Sequence, residues 1–249
     1  MRDGWKLRMV FRKGQVFLTV LEQSMESTYG SRIQKAPVPY SIISKFFFST
    51  SLLAIADSNY CFVYVNIGSY GKDSDSSIYQ NSTFSQALMR GQLNIPTSQP
   101  LSNTTPALPY VLVGDEGFGL SKHLLRPYNG KHLPPKKRIF NYRLTLARRY
   151  VECTFGIFSN KWRIFHRPID TAVDFSDDIV KACCVLHNFV QVRDGYQSDD
   201  TLQITGWEDD IEANITGSRA DPQRIRDEFA NYFLSKEGEI PYQYNVISM

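Results

Sequence analysis

An α/β fold, a mixed sheet flanked by helices, follows from three features of this 249-residue sequence. Two apolar, β-branched and aromatic runs meet at a tight turn, as in a hairpin. A short apolar run over residues 110–113 follows a proline- and serine-rich connection and reads as a buried strand. Two long segments of helical periodicity come after it. Strands therefore precede a strand–helix–helix half, and such a sheet needs helices to cover it.

Taken in order, residues 1–40 form a diverged segment with one candidate strand over 16–21, and residues 25–41 read as loop. The runs over 46–56 and 61–67 are separated by Asp57-Ser58-Asn59, which predicts the hairpin turn. Residues 68–77 are a polar loop, 79–93 a candidate helix and 94–109 a proline-rich connection. The strand over 110–113 runs straight into Gly114-Asp115. Pro134-Pro135 then precedes the clearest helix. Phe140, Leu144, Ala147, Val151, Phe155, Phe158 and Trp162 recur at spacings of 4, 3, 4, 4, 3 and 4, one continuous apolar stripe. A second helix is expected over 178–192, burying Ile179, Ala182, Cys183, Leu186 and Val190, and a third over 222–234. The organisation expected is a diverged segment (1–40), a main domain (41–195) and an acidic tail with one helix (196–249).

Hydrophobic residues make up 42% and charged residues 21%, an ordinary globular balance that excludes disorder. The four cysteines contain no CxxC pair, which argues against a zinc site and a disulfide framework and for a reducing compartment. The longest apolar run is about half of a membrane span, so no membrane association is expected. Charge is unevenly placed. Residues 121–169 hold 12 Lys/Arg against the single acid Glu152, whereas residues 199–249 hold 11 Asp/Glu against 4 Lys/Arg. A polyanion partner for the basic middle and a solvated helix face are both consistent with this.

The acids offer a candidate site. Asp115 follows a buried strand directly, where α/β folds place chemistry. Glu152 follows Val151 on the apolar stripe, and Asp75 stands in the polar loop after the hairpin. Carboxylates from separate elements suit a hard divalent cation. Two such ions can clamp the attacking and leaving oxygens of a phosphoryl displacement. Each acid also has a plain reading. Asp57 and Asp75 have turn-like neighbours, and Glu152 has Arg148 and Arg149 one turn earlier for an ion pair.

The segments VGDEGFGLSKHLLRPY, FNYRLTLARRYVECTFGIFSNKWRIF and IVKACCVLHNFV, in this order, resemble the PIF/Harbinger transposase-derived nucleases with their DDE-type endonuclease domain. The upstream FFFSTSLLAIADSNYCFVYVNIGSYGKDSDSSIYQNSTF and the terminal RIRDEFANYF fit the same family. The resemblance implies an RNase H-like fold and DNA cleavage with Mg²⁺ or Mn²⁺. It carries the metal-ligating and catalytic roles to Asp75, Asp115 and Glu152, and leaves Asp57 as a turn residue. The family's first acid is missing near Ser27 and Thr28, where MESTYGSRIQKAP holds no Asp. The segment that reads DNA in the family is also missing, so a truncated or degenerate N-terminal part is expected.

Lys136, Lys137, Arg138, Arg148 and Arg149 are the expected DNA contacts, and the 136–138 triplet reads either as a phosphate contact or as a nuclear-import patch. His187 in VLHNFV is read as a packed, hydrogen-bonded core histidine. The function expected is a metal-dependent DNA endonuclease. The alternative is an impaired copy acting only as a DNA- or protein-binding module. Expected partners are DNA and a separate DNA-binding protein; the expected location is the nucleus, with the cytoplasm as a further one.

Overall fold

The computed structural model describes residues 19–28, 47–70, 74–167, 169, 171–195 and 220–246. Strands β1 (Thr19–Thr28), β2 (Phe47–Ala56) and β3 (Phe62–Tyr70) come first. Two short helices follow, α1 (Asp75–Asn81) and α2 (Thr83–Met89). A two-residue ribbon, β4 (Gln99–Pro100) with β5 (Ala107–Leu108), leads to β6 (Leu112–Val113) and β7 (Leu124–Leu125). The remainder is helical: α3 (Pro135–Lys161), α4 (Val173–Asp194) and α5 (Ala220–Tyr232).

The central sheet has the order β3-β2-β1-β6-β7. β2 runs antiparallel to both β1 and β3, while β1, β6 and β7 are parallel. The sheet is therefore mixed, as the sequence predicts. Its strands alternate sides, as a pleated backbone requires. Leu53 and Ile55 pack with Ile78, Tyr79, Phe84 and Leu88 of α1 and α2. Leu52, Ala54 and Ala56 pack on the other face against Val151, Phe155 and Phe158 of α3 and Cys183 of α4. A third cluster joins Val111, Val113 and Leu125 to the first half of α3 and to Ile225 and Phe229 of α5. Helices thus cover both faces. Among the described residues no helix is long and apolar enough to cross a membrane.

Three expectations are corrected. β1 continues to Thr28, where loop was expected, because pairing from Thr19↔Ala56 to Thr28↔Phe47 satisfies the backbone of β2 along its whole length. The expected 79–93 helix is two helices, and it starts earlier, at Asp75. Ser82 breaks it with extended backbone; its hydroxyl donates to the Tyr79 carbonyl at 2.6 Å and accepts from the Ser85 amide at 3.1 Å. α4 is rotated from the expected face. Val180, Cys183, Cys184, His187 and Gln191 are buried, whereas Ala182 and Leu186 are exposed.

The cause of that rotation is polar. Asn188 accepts from the Phe62 amide at 2.8 Å and donates to the Phe62 carbonyl at 2.7 Å. Nε2 of His187 lies 2.8 Å from the Tyr60 carbonyl, and its ring packs against Phe62 and Phe158. These contacts fix α4 to the start of β3, and His187 is the buried, hydrogen-bonded residue that the sequence reading expected.

Candidate functional site

Asp75 and Asp115 both follow strands that point the same way. Asp75 stands at the first position of α1 after β3, capped by Ser74, whose hydroxyl oxygen accepts from the Ser77 amide at 3.3 Å. Asp115 follows β6 in a turn in which the Gly117 amide donates to its Oδ1 at 2.8 Å. The two carboxylates converge on Gly117. A Cβ at that glycine would lie 3.1 Å from Oδ1 of Asp115 and 3.3 Å from Oδ2 of Asp75. The missing side chain leaves room between the two acids.

The turn bearing Asp115 is held by packing and by hydrogen bonds. Phe118 is fully buried and meets Tyr79 of α1 edge-to-face at 6.0 Å. Any side chain at Gly114 would strike the Phe118 ring at 2.9 Å. Arg126 braces the turn from outside, donating through Nη1 to the carbonyls of Glu116 at 3.3 Å and Phe118 at 3.2 Å. Sequence reasoning missed Gly117 and Arg126. Only the glycine beside the acid was legible, and nothing in the sequence assigned it this place.

Glu152 lies on α3 beside buried Val151, as expected from the stripe. Its Oε1 is 3.5 Å from Nη2 of Arg148, the ion pair one helical turn apart. Among the described residues no three His, Cys, Asp or Glu side chains gather closely enough to hold an ion. Asp57 is a turn former. Its Oδ1 accepts from the amides of Asn59 at 2.9 Å and Cys61 at 3.0 Å, and its Oδ2 from the Asn59 side chain at 3.3 Å.

The register also locates the strand that neighbours Asp115. Thr19 of β1 pairs with Val113, so Leu21 lies level with Asp115, and Glu22 is the acid of β1 nearest in register. Ser27 and Thr28 pair with Phe48 and Phe47 at the far end of β1. At roughly 3.3 Å per residue, that is about 20 Å farther along the strand.

The basic residues divide. Arg143 is buried and structural, donating to the Gly238 carbonyl at 2.8 Å and lying 4.4 Å from the Phe233 ring centre. Lys136, Lys137 and Arg138 occupy the first turn of α3, and Lys137 lies 4.9 Å over the Tyr128 ring. Arg148 and Arg149 follow about three turns later, near 16 Å on, which returns Lys137 and Arg148 to one face of the helix, as it does Arg138 and Arg149. They form two basic rows along α3.

A two-layered covering of a mixed sheet, with paired carboxylates at strand ends, is an enzyme-like architecture of the α/β class. Residues 38–188 match the DDE superfamily endonuclease family, and the chain belongs to that family. A protein of Arabidopsis thaliana named Protein ALP1-like is 30% identical over 159 residues, covering 61% of this chain and 38% of that protein. The chain thus spans well under half the length of this relative. Both findings agree with the Harbinger transposase-derived resemblance read from the sequence. No solved structure matches the chain.

Proposed function

We propose that the chain is an RNase H-like nuclease domain of transposase descent that binds DNA and a divalent cation, Mg²⁺ or Mn²⁺, and cleaves phosphodiester bonds slowly. The observation that carries this reading is the convergence of Asp75 and Asp115 on Gly117. Two carboxylates held this close repel each other, and a cation between them relieves the repulsion. An all-oxygen donor pair suits a hard ion that keeps several waters and substrate oxygens. When bound, such a cation would supply positive charge to the phosphate under attack.

This chain's own groups do the positioning. The Gly117 amide orients Asp115, Arg126 stiffens the turn, and the α3 rows of Lys136, Lys137, Arg138, Arg148 and Arg149 supply phosphate contacts. Glu152 takes its family role only after releasing Arg148, and that partly buried pair, 3.5 Å apart across one helical turn, is a weak one. A second reading, a binding module with impaired chemistry, is favoured by the absence of a three-acid cluster among the described residues. The slow rate follows from the family's first acid, which MESTYGSRIQKAP does not hold, since two-ion catalysis needs enough ligands for both ions.

The test is a calorimetric Mn²⁺ titration with a plasmid-nicking assay, on the chain and on Asp115→Asn. Cation binding should weaken at least about tenfold in the variant, and the weak nicking should vanish with it. Equal Mn²⁺ affinity in both proteins would sink the assignment of the site. Rapid nicking abolished by the variant would show a complete catalytic set and overturn the slow rate.

A further inference from the structure

The outward face of α4 is apolar. Phe175 is 59% exposed, Val185 69%, Leu186 46%, Phe189 59% and Val192 80%, and Ala182 is exposed among them. Scattered apolar residues on a surface need no explanation. Here six stand on one side of a single helix, at the three- and four-residue spacing of a helix-pairing seam. The Asn188 and His187 bonds to Phe62 and Tyr60 forbid the helix from rolling this side inward.

We propose that this face binds the same face of a second copy of the chain, with the two α4 helices antiparallel. An isologous contact requires a self-complementary patch, and α4 has one in both size and charge. A two-fold axis between Val185 and Leu186 sets each of these two residues against the other one on the second copy. It places the small Ala182 opposite the large Phe189, so that ring enters a notch on the partner. The same axis brings Asp178 opposite Arg193. Arg193 lies with its guanidinium 5.5 Å from the Phe189 ring centre, so its positive charge already rests on the seam. Its bond to Asp194 and that of Asp178 to Lys181 are exposed ion pairs that contribute little in water and reopen readily. An unrelated partner would have no reason to match this size and charge order about its own midpoint.

The test is sedimentation equilibrium on the full 249-residue chain. A reversible monomer–dimer equilibrium is expected. Val185→Glu should raise the dimer dissociation constant by about tenfold or more, as loss of a central contact does. Its far-ultraviolet circular dichroism should stay unchanged, because the side chain is solvent-facing. Asp178→Arg and Arg193→Asp should each weaken the dimer, and the double variant should recover most of the loss. A chain that stays monomeric at every concentration overturns the proposal, as does a dimer indifferent to Val185→Glu. A double variant no better than either single one also overturns the antiparallel pairing. None of these readouts depends on cation binding or nicking.

Discussion

Individual carboxylates in this protein have different roles because their surroundings differ. Asp57 spends both oxygens on its own turn, while Asp115 spends one on Gly117 and shares its space with Asp75. Asp177, on α4, has a buried Oδ1 with no hydrogen-bond partner. Burial pushes its pKa above the ordinary carboxylate range; Lys181 opposes this, and Asp174 and Asp178 add to it. The sign follows from linkage. A carboxyl whose folded pKa is raised is disfavoured as an anion, so the fold is stable below the unfolded pKa and loses stability as pH rises through the folded one. Asp177→Asn should therefore raise the melting temperature near pH 7. The gain should fade as the pH drops toward about 4, where the unfolded carboxyl titrates. A gain that persists unchanged in acid would refute the charge as its cause.

At the scale of elements, polar clamps outweigh apolar periodicity. The sequence pattern of α4 nominated Leu186 and Ala182 for the core, yet Asn188 and His187 turn that side outward. Asn188→Ala strips both bonds from the Phe62 backbone. It should cost about 1–3 kcal/mol in urea unfolding, the penalty for leaving a largely buried donor and acceptor unmet. A loss below about 0.5 kcal/mol would mean that packing alone fixes the rotation. Along α3 the opposite holds. There the stripe from Phe140 to Phe158 is buried throughout, and the bonds that α3 makes through Asn141 to Tyr128 and through Arg143 to Gly238 do not displace it.

At the scale of the whole molecule, charge and fold are arranged separately. α5, drawn from the acidic end of the chain, packs through Ile225 and Phe229 into the same cluster as α3, joined by Phe233 just after it. The basic rows of α3 remain partly or fully exposed at Lys136, Lys137, Arg138, Arg148 and Arg149. DNA binding should therefore be insensitive to base sequence and fall steeply with salt. Changing Lys136, Lys137 and Arg138 together to Ala should flatten the slope of log K against log salt by about 2–3, since each phosphate contact contributes about 0.9. A slope unchanged by the triple variant would place the DNA surface elsewhere.

The sequence by itself determined what local chemistry can encode. The hairpin at Asp57 and the α3 stripe rest on neighbours within a few residues or on a helical period. The long motifs around Asp115 and Glu152 also carried the family, because they are contiguous. The tertiary structure alone decided which acids meet. Asp75 and Asp115 are far apart in the chain, and only the docking of α1 against the Gly114–Gly119 turn joins them at Gly117. It also decided the register that sets Leu21 level with Asp115 and sends Ser27 and Thr28 to the far end of β1. Strand register and helix rotation depend on which distant backbone groups find partners, and a linear pattern of residues does not contain that choice.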